Sequence, residues 1–225
     1  HSKEYVNALA VTNTGKLHFN LGTGSSWSSG MNSSATIALN TWTHIAVTWD
    51  GATIKMYING SLDSSIPFTG TVGTNNLVRT IGGKSNSTGT GFLQYFDGMV
   101  DEVRVWDHAR TAEQINCQKD QMLYSETGLL MNYSFSEGIG STTLNSASGS
   151  STSFSGPVFT TTTPTVSPLS YTWSTGSLCE SISATITSDT TFYVTISEGS
   201  VSAEDSIVVT FNNPTVSLGQ DTLSG

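Results

Sequence analysis

"NTWTHIAVTWDGATIKMYINGSLD", residues 40–63, contains two runs in which apolar and polar side chains alternate. The first run places Ile45 and Val47 two residues apart, and the second places Ile54 and Met56 in the same way. An Asp-Gly pair separates the runs, and an Asn-Gly pair follows the second. Alternation of this kind between tight-turn dipeptides is typical of antiparallel strands with one buried face. The passage therefore predicts a β-meander.

The residues before the meander predict another strand and a loop. Residues 16–21, KLHFNL, alternate in the same way and predict a strand. The Gly/Ser-rich run GTGSSWSSGMNSS (22–34) predicts a loop with Trp27 at its middle. After the meander, LVRTIGG (77–83) predicts a further strand.

A charged stretch, FDGMVDEVRVWDHARTAEQI (96–115), predicts one more strand. Val103 and Val105 share one face of it, and Glu102 and Arg104 share the other. We expect the valines to point inward and the two charged residues to form a weak ion pair on the solvent face.

A short helix is predicted directly after this strand, near residues 112–118. Thr111 and Gln114 have the spacing of a capping box, in which each side chain satisfies a backbone N–H at the helix start.

The composition is typical of a secreted all-β protein. Of the 225 residues, 36% are hydrophobic, 11% are charged and 22 are glycine, which suits polar strand faces joined by many turns. No apolar run approaches the roughly 20 residues that span a bilayer, so we expect no membrane span.

The net charge of −9 is unevenly distributed. All eight Lys and Arg residues precede residue 120, whereas residues 120–225 contain nine acids and no base. Such a step predicts two modules of different origin. It argues against nucleic acid as a partner, since basic residues are needed to displace the counterions of a phosphate backbone.

The second half begins with a Ser/Thr-rich segment. Residues 150–167 contain eleven Ser or Thr in eighteen positions and predict a linker. Residues 168–212 contain short apolar runs separated by turns (SYTWSTG, SISATIT, TFYVTISEG and EDSIVVTFN), which predict a small sandwich of the immunoglobulin type. In residues 213–225 a strand-like pattern begins again after a proline, which predicts the first strand of a further repeat. We call residues 1–149 the first module and residues 168–212 the second module.

Residues 1–117 resemble the laminin G-like, concanavalin A-type lectin domain. The resemblance is carried by "WTHIAVTWDGATIKMYINGSLD", followed by "IGGKS" and "FDGMVDEVRVWDHARTAEQI". It implies an all-β jelly-roll sandwich, which residues 118–149 close with additional strands. The family normally has strands before the first one seen here, so we expect an N-terminally incomplete sandwich from a longer secreted protein.

The second half is similar to the Ig-like (PKD-like) repeats of large Bacteroidetes surface proteins, through "YTWSTGSLCESISATITSDTTFYVTISEG". This resemblance implies export by type IX secretion, location at the bacterial cell surface, and neighbouring modules of the same chain as partners. It also implies a segment of an adhesin, with a lectin-like domain on an Ig-like stalk, in gliding or attachment to polysaccharide.

The two cysteines, Cys117 and Cys179, lie on opposite sides of the charge step. They are either unpaired or paired elsewhere, or they form a disulfide bond that ties the modules together. No CxxC motif or nearby histidine supports a zinc site.

Asp101 lies on the Val103/Val105 side of the predicted strand, where a buried carboxylate needs donors or a cation to offset its desolvation. It either holds a loop by itself or, with Asp97 and loop carbonyls, binds calcium, which takes six to eight oxygen ligands. Calcium is the one cofactor that we predict.

Carbohydrate binding needs an exposed aromatic ring with amide groups around it. The candidates are Trp27 and three residues of the 84–95 loop: Asn86, Gln94 and Tyr95. The Bacteroidetes resemblance also implies O-glycosylation at Asp-Ser/Thr triplets, which places candidates at Thr190, Ser206 and Thr222.

We expect no enzymatic activity. The carboxylates of residues 96–115 are those that turns and caps require, and no histidine lies in a recognisable motif with a Ser or Cys nucleophile. The alternatives to an adhesin segment are an accessory region of a secreted polysaccharide-degrading enzyme and a spacer with no ligand.

Overall fold

A computed structural model describes residues 2–3, 7–22, 27–74, 79–86 and 91–212 of the chain. These residues form sixteen strands and one helix, and the strands pair in antiparallel order. In chain order the elements are β1 (Ser2–Lys3), β2 (Asn7–Val11), β3 (Lys16–Gly22), β4 (Trp27–Thr36), β5 (Ile45–Trp49), β6 (Thr53–Ile58), β7 (Ser61–Pro67), β8 (Lys84–Ser85), β9 (Phe92–Leu93), β10 (Val103–Trp106), α1 (Ala112–Gln118), β11 (Leu129–Tyr133), β12 (Thr142–Asn145), β13 (Ser150–Ser153), β14 (Ser170–Trp173), β15 (Thr190–Glu198) and β16 (Val201–Val209).

The core of the first module lies between two sheets, β1–β2–β3–β4 and β5–β6–β7. Leu17 and Leu21 of β3 form one buried cluster with Ile54 and Met56 of β6. Residues two apart in a strand face the same side, so the polar residues between them point away from this cluster. Burial of each such side chain contributes about 1.5–3 kcal/mol, which makes the cluster a main source of the module's stability.

The predicted meander is confirmed, and its turns follow from local chemistry. The Asp50 carboxylate accepts hydrogen bonds from the backbone N–H of Ala52 (2.9 Å) and of Thr53 (2.7 Å). Asn59 and Gly60 both have positive φ, 50° and 80°, as a tight turn between β6 and β7 requires.

The predicted loop at residues 22–34 is wrong for most of its length, because β4 extends from Trp27 to Thr36 and pairs with β3. Among the β4 residues whose burial is described, Met31 and Ser33 are buried, and most of the others are exposed, which accommodates small polar residues. The Ser33 hydroxyl accepts a hydrogen bond from the backbone N–H of Leu17 at 2.9 Å, which satisfies it in the interior.

The predicted strand at residues 77–83 is also wrong where the structure describes it. Thr80 forms an isolated bridge, and residues 81–83 are bent. Gly82 has a φ of 78°, a left-handed conformation that interrupts an extended strand. Residues 77–78 lie outside the described residues.

The ion pair predicted on the solvent face of β10 is buried. Arg104 Nη2 lies 2.6 Å from Glu102 Oε2, and each side chain is only 11% exposed. Arg104 also donates hydrogen bonds to the backbone carbonyl oxygens of Gln118 (2.9 Å) and Gln121. The alternation of residues within one strand could not predict the burial of this pair, because α1 and the turn after it cover the two side chains.

The helix prediction is confirmed. The Thr111 hydroxyl accepts a hydrogen bond from the backbone N–H of Gln114 (3.1 Å), and the Gln114 side chain accepts one from the N–H of Thr111 (3.0 Å). The helix buries Ile115 and Gln118 against the first module. Among the described residues no helix is long and apolar enough to cross a membrane.

The second module is a three-stranded sheet in the order β14–β15–β16. The run at 181–187 predicted as a strand is irregular, so that strand prediction is wrong. This segment is anchored by Trp173, whose Nε1 donates a hydrogen bond to the carbonyl oxygen of Cys179 at 2.9 Å. The Ig-like architecture and the domain boundaries stay predictions.

Part of the predicted linker is ordered by pairing. Ser150–Ser153 form β13, which pairs with β12, and Ser167 forms a bridge to Gln121. Main-chain hydrogen bonds therefore hold both ends of the linker against the first module.

Candidate functional site: a loop surface and its surroundings

The hairpin β8–β9 brings together the residues predicted to bind carbohydrate. Lys84 pairs with Leu93, and the backbone N–H of Asn86 donates to the carbonyl oxygen of Gly91 at 2.9 Å. At the open end the N–H of Phe96 donates to the carbonyl oxygen of Gly82 at 2.8 Å. We call Trp27 together with residues 82–86 and 91–96 the loop surface.

Trp27 joins this surface from the start of β4. It is half-buried, and the Lys84 ammonium lies 5.6 Å from the centroid of its ring. A cation at this distance from an indole face is attracted by the ring's quadrupole. Trp27 is thus held by a strand and a cation, and not in the loop that the sequence predicted.

Tyr95 is the most exposed aromatic residue of the loop surface among those described, with 75% of its surface accessible. Its ring packs over Gly83, where a Cβ atom would lie 3.4 Å from the ring carbon Cδ1. Gln94 beside it is also exposed and has a φ of 53°. Gly83 and Lys84 are consecutive, so the residues that the Tyr95 and Trp27 rings approach are neighbours in the chain.

Of the four predicted residues, Gln94 and Tyr95 are neighbours in the chain, Asn86 lies on the same hairpin, and Trp27 joins the hairpin through Lys84. Sequence reasoning missed Lys84, which connects Trp27 to the hairpin. The available signal was that Lys84 is the single base of the polar run 84–91.

The predicted metal ligands differ in their surroundings. Asp97 is exposed, whereas Asp101 is half-buried and accepts a hydrogen bond from the backbone N–H of Glu102 at 2.9 Å. Burial raises the pKa of the Asp101 carboxyl above its ordinary value, and the neighbouring Glu102 charge acts in the same direction. A nearby cation would stabilise the charged form of this half-buried carboxylate.

Carboxylates alone do not complete a calcium site here. In the described part of the chain, Asp97 and Asp101 belong to no group of three or more His, Cys, Asp or Glu side chains with ligand atoms within 4.8 Å of one another. A calcium ion at Asp101 would need backbone carbonyl oxygens or water for most of its ligands. The metal assignment stays a prediction.

One such group of side chains does exist among the described residues, formed by Glu113, Cys117 and Cys179. Cys117 and Cys179 are joined in a disulfide bond, so neither can offer a thiolate to a metal. Of the two alternatives for the cysteines, the structure supports the disulfide between the modules.

The predicted glycosylation positions fall in or after the second module. Ser206 lies in β16 and is exposed, whereas Thr190 is half-buried and its hydroxyl donates to the carbonyl oxygen of Ser188 at 2.9 Å. Thr222 lies outside the described residues.

The described histidines His18, His44 and His108 differ in their surroundings. His18 Nδ1 is 2.6 Å from Asn32 Oδ1, and His108 Nδ1 is 2.7 Å from Asp107 Oδ1. Buried His44 Nδ1 has no hydrogen-bond partner in the described structure. Its pKa is lowered to about 4, first by burial and then by the charge of Arg104, so the ring is neutral at physiological pH.

Comparison with solved structures supports the fold. A crystal structure of a protein from Bacteroides ovatus, described as a candidate carbohydrate binding protein, matches with a TM-score of 0.52 and 20% sequence identity. The match covers 70% of this chain and 49% of that protein, so the chain spans about half of its length. At this identity the likeness shows the fold alone.

A second structure, of an S-layer domain-containing protein from Clostridium thermocellum, matches with 23% identity over 47% of this chain and 52% of that one. Its TM-score of 0.28 is too low to carry a structural conclusion. A search of curated proteins found no match.

The sequence profile of a laminin G-type family, described as the concanavalin A-like lectin/glucanases superfamily, matches residues 2–116. This range contains the meander, β10 and nearly all of α1. The chain belongs to the concanavalin A-like lectin/glucanase superfamily.

Proposed function

We propose that this chain is a non-catalytic carbohydrate-binding module and that its loop surface is the binding site. The observation that carries the proposal is the exposed Tyr95 ring, packed over Gly83 beside the Lys84–Trp27 pair. An aromatic ring with one exposed face can stack on the C–H face of a sugar ring. The amides of Gln94 and Asn86 supply donors and acceptors at the edge of the same surface.

The comparisons support the class of function. The superfamily includes lectins by its description, and the B. ovatus protein of similar fold is described as a candidate carbohydrate binding protein. The superfamily also includes glucanases, so the choice between binding and catalysis depends on the residues of this chain.

The pairing of two described glutamates, Glu102 and Glu126, favours binding over catalysis. Glycoside hydrolysis uses two carboxyl groups, roughly 5–10 Å apart, that flank one bond. Glu102 and Glu126 are both paired with arginines, at 2.6 Å and 3.2 Å. Both carboxylates are thus occupied by contacts with side chains of the same fold.

We propose further that the module belongs to a large secreted adhesin of the bacterial cell surface. The second module would act as part of an Ig-like stalk, and its lack of basic residues suits an extracellular spacer. Export by type IX secretion, a role in gliding, and O-glycosylation at Thr190, Ser206 and Thr222 are parts of this proposal that rest on the resemblance described above.

An accessory carbohydrate-binding region of a polysaccharide-degrading enzyme is the second candidate, favoured by the glucanases in the superfamily's description. The two candidates share the binding chemistry and differ in context. A catalytic domain elsewhere in the full-length gene would favour the accessory region, and many tandem repeats would favour the adhesin.

A glycan array probed with the purified chain tests the proposed function. We expect binding to a restricted set of neutral or weakly charged glycans, in the presence or absence of calcium. An array that stays blank under both conditions would contradict carbohydrate binding and leave the ligand-free spacer. Release of reducing sugar from a bound polysaccharide would contradict the non-catalytic assignment.

A further inference from the structure

A cleft with a volume of about 580 Å³ lies at the junction of the two modules. Arg110, Tyr124 and Glu126 line it from the first module, and Tyr171 and Ser197 line it from the second. Sites for small molecules have volumes of roughly 300–1,000 Å³ and occur preferentially between domains. None of the residues of the loop surface lines this cleft.

The junction is held by contacts on several sides. The disulfide bond joins Cys117 of α1 to Cys179, and Gln121 Nε2 donates to the carbonyl oxygen of Leu178 at 3.3 Å. Two backbone hydrogen bonds hold the end of the linker on the first module, directly before the second module begins: the N–H of Met122 donates to the carbonyl oxygen of Ser167 at 2.7 Å, and the N–H of Ser167 donates to that of Asp120 at 2.6 Å. These contacts order the walls before a ligand arrives, which lowers the entropy that binding would cost.

The lining contains a closed network of charged and amide groups. Arg110 Nη1 lies 3.2 Å from Glu126 Oε2, and Gln118 bonds to both residues through its side-chain amide. The Trp106 ring lies beneath the guanidinium, with its centroid 3.9 Å from Arg110 Cζ. The terminal groups of these three side chains therefore hold one another in fixed directions.

The cleft is balanced in charge. Arg110 is paired with Glu126, and His108, the other base among the described lining residues, lies 2.7 Å from Asp107 Oδ1. An acidic ligand would have to break one of these pairs, and a cationic ligand would have to compete with Arg110. The balance favours a neutral ligand with many hydroxyl groups.

Two tyrosines and several hydroxyl groups complete the lining. Tyr124 is 40% exposed, and its Cε1 atom lies 4.0 Å from the position that a Cβ atom would take at Gly199, so its ring reaches from the first module to the second. Tyr171 and three hydroxyl-bearing residues, Ser170, Thr172 and Ser197, line the second-module side. Aromatic rings next to fixed hydroxyls and amides are the groups that recognise a pyranose ring.

We propose that this cleft is a second saccharide site, which binds a neutral oligosaccharide between the two modules. The proposal extends the proposed function to a site that does not depend on the loop surface. Both modules supply contacts, so the site exists only while the junction is intact.

Titration of the ¹⁵N-labelled chain with neutral hexaoses (cello-, laminari-, xylo- and mannohexaose) tests the proposal, with an oligogalacturonate as acidic comparison. We expect at least one neutral hexaose to shift the amide signals of Ser125, Thr127 and Gly199. Tyr124→Ala should weaken that binding by about tenfold, the usual effect of removing an aromatic contact. Tyr193→Ala, at an exposed tyrosine of β15 that does not line the cleft, is the matched control and should bind like the wild type.

The outcomes separate the two sites. Cleft shifts that persist in Tyr95→Ala support the second site, even when the loop surface binds nothing. Shifts confined to residues 82–86 and 91–96 overturn the cleft site and leave the proposed function standing. Equal loss of affinity in Tyr124→Ala and Tyr193→Ala, or preferential binding of the oligogalacturonate in the cleft, also overturns it.

Discussion

Cys117 of α1 and Cys179, 62 residues further along the chain, form a disulfide bond that joins the two modules. A crosslink restricts the unfolded chain, and for a loop of this length the chain-entropy estimate of its stabilisation is about 4 kcal/mol.

Replacement of both cysteines by serine should therefore lower the free energy of unfolding by about 2–4 kcal/mol. Urea unfolding followed by tryptophan fluorescence measures this, and the wild type in dithiothreitol should coincide with the double variant. Identical midpoints for the oxidised wild type and the variant would show that the crosslink does not act on folding.

The buried pair of Glu102 and Arg104 predicts a large effect of a single substitution. Arg104→Met leaves the Glu102 carboxylate and two backbone carbonyl oxygens without their donor, so we expect a loss of about 3–5 kcal/mol in unfolding free energy. Arg79→Met, at an exposed arginine of the same module, is the control and should change it by less than about 0.5 kcal/mol. Equal effects in the two variants would mean that the pair is solvated.

This pair also shows which features of the fold cannot be predicted from the sequence. The meander and the cap of α1 could be predicted because turn dipeptides, strand alternation and the capping box act within a few residues. The burial of Arg104 depends on α1 and on residues 118–121, which lie more than ten positions away. The same limit applies to Trp27, since its strand exists only because β3 pairs with it.

The candidate site was predictable by residue type but not by arrangement. Tyr95 and Gln94 are exposed as a binding loop requires, and the hairpin that holds them could not be read from a polar, Gly-rich run. The pairing of Cys117 with Cys179 was left open for a related reason: two cysteines specify a bond only when the fold brings them together.

His44 predicts a defined dependence of stability on pH. Its folded-state pKa of about 4 lies below the ordinary value of 6.5, so between these values the unfolded state binds more protons than the folded state. Its contribution to stability is therefore complete above about pH 6.5, falls as the pH decreases, and is lost near pH 4, a change of roughly 3 kcal/mol.

His44→Gln cannot titrate, so its unfolding free energy should fall less than that of the wild type between pH 7 and pH 4.5. Thr41→Ser, at an exposed residue that does not titrate, is the control and should follow the wild type. Parallel pH profiles for the wild type and His44→Gln would contradict the buried neutral histidine.

Calcium binding at Asp101 predicts a change in thermal stability. A saturating cation that binds only the folded state should raise the melting temperature by about 5 °C or more. Without calcium, Asp101→Asn should melt at or above the wild-type temperature, because burial already disfavours the charged carboxylate.

The gain with calcium should disappear in Asp101→Asn and persist in Asp107→Asn, a change at an exposed carboxylate that bonds to His108. A wild-type melt that is the same in calcium and in chelator would leave Asp101 as a carboxylate that holds its loop without a metal.

The central claim is that the loop surface binds carbohydrate through Tyr95, and isothermal titration calorimetry with a glycan identified on the array tests it most directly. Loss of the stacking ring in Tyr95→Ala should weaken binding by about tenfold or more, while Tyr193→Ala binds like the wild type. Wild-type affinity in Tyr95→Ala would contradict the claim.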